Sequence, residues 1–215
     1  MKINKDELLL CIGDSITDLG RARPFGRGNG GELGSGYVNL LSGIIGYKNP
    51  ELNISVINVG TSGNTVRHLM QHWESDVLDL NPDWVTIMIG TNDVWRQFDS
   101  QDTSTHVCID EYERTLEKLV MQTKPQVKGI ILLSPFFIES NTSDKMRFMM
   151  DEYGSLVKMI ANRHDVGFVD TQSAFNKLLQ STPSAQIAGD RVHPNIIGHT
   201  LLADCIYSYL NSDND

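Results

Sequence analysis

The chain has 215 residues, which is long enough for one domain with a substantial hydrophobic core. Its hydrophobic content of 40% and charged content of 21% are typical of a soluble globular protein. The formal net charge of −9 argues against a nucleic-acid partner, which requires a basic surface. No apolar run has the length of a membrane span, so we expect no membrane partner.

Two features predict a cytoplasmic protein. The apolar run at residues 8–12 is too short for the core of a signal peptide, and no small-residue cleavage site follows it. The three cysteines are odd in number and sparse, unlike a disulfide framework; they are Cys11, Cys108 and Cys205.

Short apolar runs alternate with longer amphipathic segments along the chain. The runs predict strands at residues 8–12, 54–59, 84–89, 129–133 and 166–169. They are continuously apolar, which is typical of parallel strands buried on both faces. The segments between them predict helices at residues 37–46, 65–79, 110–123, 144–163, 172–180 and 196–210. This alternation predicts one doubly wound α/β domain over residues 1–215, with a frayed polar tail at 211–215.

Three polar or flexible positions follow the first three predicted strands. Ser15, Gly63 and Asn92 each come just after a strand. Open parallel sheets bind ligands beyond the carboxyl ends of their strands, so we expect these residues to converge there.

Ser15 lies in the segment Gly13-Asp14-Ser15-Ile16-Thr17 and is a candidate nucleophile. A serine hydroxyl needs a neighbouring base to become reactive. The alternative is structural, because Ser15 or Thr17 is also suited to cap the N-terminus of a helix.

The candidate base is His193, three residues after Asp190. A turn of that length can bring the Asp190 carboxylate to Nδ1 of the imidazole, where it would fix the tautomer and stabilise the imidazolium. The alternative is a surface loop in which neither side chain has a chemical role.

Donors for a developing oxyanion are available in two other segments. The Asn92 side-chain amide follows Gly90, and Gly63 can offer a backbone N–H at the start of a predicted helix. The backbone N–H of Ser15 would be a third donor. The alternative for Asn92 is a turn formed with Asp93.

Taken together, these segments resemble the SGNH/GDSL hydrolase family. Gly13-Asp14-Ser15 is similar to its first block, Gly63 and Asn92 to the second and third, and Asp190 with His193 to the last. The resemblance implies Ser15 as nucleophile, Asp190 and His193 as its catalytic partners, and an oxyanion hole from Ser15, Gly63 and Asn92. It also implies a flavodoxin-like three-layer α/β/α fold with five parallel strands in the order 2-1-3-4-5, and neither a metal nor an organic cofactor.

Longer stretches resemble the carbohydrate-deacetylating subgroup, which includes acetylxylan esterases. They are residues 13–24, 88–97 and 190–194. The resemblance implies an oligosaccharide ester substrate. The side chains agree with it: Trp95, near Asn92, can stack on a sugar ring, and Arg23 or Arg96 can bind hydroxyls. The alternative for Trp95 is an aromatic ring packed under the loop. The alternatives within the family are a lysophospholipase, a thioesterase or a short-chain lipolytic esterase.

The sequence also leaves other functions open. A non-catalytic carbohydrate-binding protein would keep the scaffold without the chemistry. An ordinary α/β-hydrolase would have Gly-x-Ser-x-Gly, whereas Thr17 stands at the position of its second glycine. His68 and His72 have a metal-ligand spacing, but a solvated helix face is the simpler interpretation. Phe148 and Trp73 leave association into a homo-oligomer open.

Overall fold

A six-stranded sheet forms the centre of the protein in a computed structural model, which describes residues 1–28 and 31–212. The strands are β1 (Leu8–Gly13), β2 (Gly26–Arg27), β3 (Ser55–Asn58), β4 (Trp84–Met88), β5 (Gly129–Leu133) and β6 (Gly167–Val169). Their spatial order is β2-β3-β1-β4-β5-β6. All neighbours pair in parallel except β2 and β3, which are antiparallel.

The predicted α/β class and the 2-1-3-4-5 order of the five parallel strands are confirmed. The expected count of five was wrong, because β2 adds an antiparallel edge strand. This strand pairs Gly26 with Asn58 and Arg27 with Ile57. A two-residue strand is too short to produce an apolar run, so the sequence carries no signal for it.

Eight α-helices occur among the described residues: α1 (Ser15–Asp18), α2 (Tyr37–Lys48), α3 (Val66–Asp76), α4 (Thr91–Asp99), α5 (Ile109–Thr123), α6 (Lys145–His164), α7 (Thr171–Leu178) and α8 (Ile196–Asn211). The sequence reading missed α1 and α4, which are among the shortest. The predicted tail is helical at its first residue, Asn211, and residues 213–215 lie outside the described residues.

Helices cover both faces of the sheet and bury two separate cores. Along β1, Leu10 and Ile12 face the core formed with α3, α5 and α6, whereas Leu9 and Cys11 face the core formed with α2, α7 and α8. The same alternation occurs in β5. Both faces of these strands are therefore apolar, which explains the continuous apolar runs.

Two aromatic residues with a predicted role in association differ in burial. The Phe148 ring is 59% exposed on α6. Trp73 is only 2% exposed, and its Nε1 donates to Thr123 Oγ1 at 3.0 Å across the α3–α5 contact. The expectation that Trp73 is available to a partner was wrong. Within the described part of the chain, no helix combines the length and apolarity needed to cross a membrane.

We expect Leu10→Ala to lower the free energy of unfolding by about 2–5 kcal/mol, because it leaves a cavity at a fully buried position of a central strand. Urea denaturation measures the change. The matched control is Tyr47→Ala at a side chain that is 84% exposed, which should change stability by less than about 0.5 kcal/mol. Equal effects of the two substitutions would contradict the assignment of Leu10 to the core.

Candidate active site

Ser15 is the first residue of α1 and is separated from the end of β1 by the single residue Asp14. The cap of this short helix is Asp14, whose Oδ1 accepts a hydrogen bond from Ile16 N at 3.0 Å. The Ser15 hydroxyl is therefore not used as a cap, in contrast to the structural alternative. Its Oγ instead lies 2.8 Å from His193 Nε2.

His193 and Asp190 form the second half of the same chain of contacts. His193 Nδ1 lies 2.6 Å from Asp190 Oδ2. Asp190 Oδ1 also accepts from the backbone N–H groups of Val192 at 2.9 Å and His193 at 2.8 Å. Partial burial opposes ionisation of Asp190, but these hydrogen bonds outweigh it and hold the pKa of its carboxyl below the ordinary value. The carboxylate thus places the proton on Nδ1 and leaves Nε2 to accept from Ser15.

The segment that carries this pair is fixed to the end of the sheet. The Arg191 carbonyl accepts from Ile138 N at 2.8 Å, and the Arg191 guanidinium binds Glu139 at 2.7 Å and lies over the Phe137 ring. Val192, between Arg191 and His193, is buried at 2% exposure. These contacts come from the loop after β5, so this loop fixes the position of the segment that carries His193.

The Asn92 amide lies on α4 and is 3% exposed. Its Nδ2 donates to the Asn64 carbonyl at 3.0 Å. An amide nitrogen carries two hydrogens, so this bond orients the group and leaves its second hydrogen for a ligand. Asn64 follows Gly63 in the chain, so this hydrogen bond holds the Asn92 amide next to Gly63, the other predicted oxyanion donor.

Gly63 belongs to residues 60–65, which we call the oxyanion loop. Its φ of +83° is in the left-handed region, and an added Cβ would meet no atom within 4 Å. Glycine is therefore required for the backbone conformation and not for lack of space. Gly60 differs, because a Cβ there would lie 2.5 Å from Asp18 N. The loop thus packs tightly against α1 at its start.

Side chains from several elements hold the oxyanion loop. Asn58 Oδ1 accepts from Gly60 N at 2.9 Å, and Arg21 Nε donates to the Gly60 carbonyl at 2.7 Å. Asp18 Oδ2 accepts from Ser62 N at 3.0 Å. Just beyond the loop, at the first residue of α3, Asp93 Oδ1 accepts from Val66 N at 3.0 Å. Sequence reasoning missed all of these anchoring residues; Arg21, Asp18 and Asp93 have partners that are remote in sequence.

Two buried carboxyls flank Ser15 and Asn92. Asp14 and Asp93 are 1% and 0% exposed, and Oδ2 of each is buried without a hydrogen-bond partner among the described residues. Burial raises the pKa of Asp14 to about 6 and that of Asp93 to about 7, and the charge of Asp14 adds to the rise at Asp93.

The three predicted substrate-binding residues lie in different settings. The Trp95 ring packs against the His193 ring, with centroids 5.7 Å apart and planes tilted by 60°. The Arg96 guanidinium lies 5.4 Å from the centroid of Trp95 and pairs with Asp99 at 2.5 Å. Arg23 forms a bidentate salt bridge with Asp18, with N–O distances of 3.0 and 2.7 Å. Trp95 therefore borders the Ser15–His193 contact directly, whereas both arginines are engaged by carboxylates.

The remaining histidines have structural contacts. His68 Nδ1 accepts from Thr65 N at 3.1 Å and completes a capping box at the start of α3. His72 Nε2 lies 3.1 Å from Asn64 Nδ2 on the oxyanion loop. No cluster of three metal-ligating side chains occurs among residues 1–28 and 31–212. His199 is buried, accepts from Tyr37 N at the start of α2, and has its pKa lowered to about 4 by burial and by His193.

Thr65 and His68 have the spacing of a capping box, with His68 in place of the usual Glu or Gln. His68 is nevertheless exposed and the His72 side chain is 30% exposed, so the interpretation of a solvated helix face agrees with the structure.

A hydroxyl, an imidazole and a carboxylate in series, beside an amide donor, are the parts of a serine hydrolase. The arrangement can transfer a proton from Ser15 Oγ to His193 and stabilise an imidazolium at Asp190.

Comparisons with known proteins agree with this class. The family model of the GDSL-like lipase/acylhydrolase family matches residues 11–201. An acetylxylan esterase of Geobacillus stearothermophilus is 56% identical over 204 residues, covering 94% of this chain and 93% of that protein. The chain therefore belongs to the GDSL-like lipase/acylhydrolase family, and it is a carboxylic ester hydrolase.

Solved structures give the same result. The crystal structure of Axe2, an acetylxylan esterase from Geobacillus stearothermophilus, has a TM-score of 0.97 at 54% identity and covers 99% of this chain and 98% of its own. LAE5, an α/β hydrolase enzyme from the metagenome of Lake Arreo, has a TM-score of 0.96 at 47% identity over 100% of both chains. Other Axe2 structures are catalytic mutants in which a serine, a histidine or an aspartate is replaced by alanine.

We expect Asp93→Asn to reduce the pH dependence of stability. The folded Asp93 carboxyl has a pKa of about 7, whereas an unfolded aspartate ionises near about 3.9, so the folded state binds more protons between these values. Its contribution to the free energy of unfolding is thus present at low pH and is lost as the pH rises towards about 7. Asparagine keeps the acceptor for Val66 N and cannot ionise.

Urea denaturation at a series of pH values measures this difference. The stability of Asp93→Asn relative to the unsubstituted chain should increase as the pH rises through the window. Asp79→Asn, at an exposed carboxyl, is the matched control and should give a parallel profile. Parallel profiles for both variants would show that Asp93 is not held protonated.

Proposed function

We propose that the chain removes acetyl groups from acetylated sugars, such as xylo-oligosaccharides, through an acyl-enzyme on Ser15. The observation that carries the proposal is the continuous set of contacts from Ser15 Oγ through His193 to Asp190, at 2.8 and 2.6 Å. The similarity to acetylxylan esterase of Geobacillus stearothermophilus supports a sugar ester as the substrate. The catalytic mutants of Axe2 support a serine, a histidine and an aspartate as the catalytic residues.

In the proposed reaction, His193 Nε2 takes the hydroxyl proton as Ser15 Oγ attacks the ester carbonyl carbon. The negative charge that develops on the carbonyl oxygen is stabilised by Asn92 Nδ2 and by the backbone N–H groups of Gly63 and Ser15. His193 then gives its proton to the departing sugar oxygen, and the C–O bond of the ester breaks. His193 next takes a proton from water as the water oxygen attacks the acyl carbon, and returns it to Ser15 Oγ as the bond between that carbon and Ser15 breaks and acetate leaves.

Trp95 is the best supported of the proposed sugar contacts. Its ring lies beside His193, which must protonate the sugar oxygen, so a sugar leaving group has to pass close to Trp95. The partly exposed indole can stack on a pyranose ring. Arg96 lies next to this proposed sugar contact, because its guanidinium is over the Trp95 ring.

We also propose that the enzyme works in the cytoplasm on short acetylated oligosaccharides. Cys11, Cys108 and Cys205 are all free thiols, which agrees with a reducing compartment. The exposed Phe148 ring supports the proposed homo-oligomer.

We expect Ser15→Ala to reduce kcat on p-nitrophenyl acetate by ~10⁴–10⁶-fold, as in other knockouts of a catalytic triad. Asp190→Asn should reduce kcat less, because it disturbs the imidazole tautomer but leaves the nucleophile and the oxyanion donors in place. Steady-state kinetics measure both. Retained activity of Ser15→Ala would refute the nucleophile.

A panel of purified substrates tests the choice of ester. We expect the highest kcat/KM on acetylated xylo-oligosaccharides and on acetyl esters, with a fall as the acyl chain lengthens. A maximum at octanoyl or longer esters would instead indicate a lysophospholipase or lipolytic esterase, and preference for thioesters a thioesterase. Glycan binding without labelling of Ser15 by a fluorophosphonate would indicate a carbohydrate-binding protein.

A further inference from the structure

Asp18 connects the helix of the nucleophile to the oxyanion loop. It is the last residue of α1, three positions after Ser15, and its side chain is 4% exposed. Its Oδ2 accepts from both Ser62 N at 3.0 Å and Ser62 Oγ at 2.8 Å. Ser62 immediately precedes Gly63, so this carboxylate holds one end of the peptide unit that carries the Gly63 N–H.

Arg23 compensates the charge of this buried carboxylate. Its two terminal nitrogens bind the two Asp18 oxygens in parallel, at 3.0 and 2.7 Å. A buried carboxylate is costly unless it is paired and hydrogen-bonded. Burial opposes ionisation here, but the bonds from Arg23 and Ser62 outweigh it and hold the pKa of Asp18 below its ordinary value. The Arg23 side chain itself remains 52% exposed.

The residues on either side of Ser62 and Gly63 are held in place by hydrogen bonds. Thr61 N donates to the Gly13 carbonyl at 3.0 Å, and the Asn64 carbonyl accepts from Asn92 at 3.0 Å. Between these two anchors lie only Ser62 and the left-handed Gly63. Ser62 and Gly63 are the central residues of a turn in which Asn64 N donates to the Thr61 carbonyl at 3.2 Å. The bonds of Asp18 to Ser62 orient this turn, and with it the Gly63 N–H, relative to Ser15 Oγ, since Asp18 and Ser15 belong to the same short helix.

We propose that Asp18 is a positioning residue that directs the Gly63 N–H towards the oxyanion, and that Arg23 acts through Asp18 and not by contact with the sugar. The proposal rests on the proposed function, because it requires an oxyanion beside Ser15. It replaces the direct role in hydroxyl binding that the sequence analysis predicts for Arg23. The distinction has a kinetic consequence: a sugar contact affects only sugar substrates, whereas oxyanion geometry affects every ester.

The test compares kcat and KM for Asp18→Ala and Arg23→Ala on p-nitrophenyl acetate and on an acetylated xylo-oligosaccharide. We expect Asp18→Ala to lower kcat about 10- to 100-fold on both substrates with KM nearly unchanged, because small displacements of an oxyanion donor have effects of this size. Arg23→Ala should lower kcat on both substrates in the same proportion. The double variant should be no worse than Asp18→Ala alone, since the two residues act as a unit.

Several controls separate this role from loss of fold. Arg27→Ala removes an exposed arginine from the same segment and should leave both constants unchanged. Thermal unfolding identifies variants that do not fold. If Asp18→Ala does not fold, Ser62→Ala, which removes one of the two bonds to Asp18, is measured in its place and should lower kcat on both substrates. Asp18→Asn keeps an acceptor for Ser62 and should retain more activity than alanine. Affinity for a boronic acid, which forms a tetrahedral adduct on serine, should fall in parallel with kcat.

The outcomes are distinct. An increase in KM for the oligosaccharide alone in Arg23→Ala would overturn the proposal and assign Arg23 to the sugar. Unchanged kcat in folded Asp18→Ala would overturn it as well. Failure of the proposed function appears elsewhere, as activity of Ser15→Ala or as no turnover of acetylated sugar by the unsubstituted chain.

Discussion

The proposed chemistry requires the hydrogen bond between Ser15 Oγ and His193 Nε2. This bond joins residues 178 positions apart, so no local element can form it. β1 delivers Ser15 from the interior of the sheet, and the loop after β5 holds the segment of His193 through Arg191. The parallel order brings these ends to one edge, and the order of the strands is thus the condition for a proton to move between the two side chains.

The oxyanion loop shows how a short irregular segment gains the rigidity that electrostatic stabilisation requires. Donors are effective when they are fixed before charge develops, because no free energy is then spent on reorienting them. Backbone pairing provides this for strands, but residues 60–65 rely on side chains from other elements. Two of these are aspartates, Asp18 and Asp93, which bind at Ser62 and at Val66. Full burial without an ion-pair partner raises the pKa of Asp93, whereas Arg23 lowers that of Asp18.

Much of the fold, and the meeting of Ser15 with His193 and Asp190, could be predicted from the sequence, for a physical reason. Strands buried on both faces produce continuous apolar runs, and the bounds of β5 at Gly129–Leu133 follow directly from one. Ser15, Asp190 and His193 lie in compact segments whose spacing reflects their chemistry. By contrast, Asp18, Asp93 and His72 act through partners that only the folded backbone brings near. Trp73 was the avoidable error, since Val66, Leu69 and Trp73 recur on one helix face.

The two-residue strand β2 has an effect that concerns neither chemistry nor substrate. An unpaired strand at the margin of a sheet exposes backbone N–H and C=O groups that can recruit a strand from another molecule. β2 runs antiparallel along β3 and occupies part of that margin, and the opposite margin is β6, with only three residues. The sheet therefore offers short templates for unwanted intermolecular pairing at both margins, which favours colloidal stability in a crowded solution.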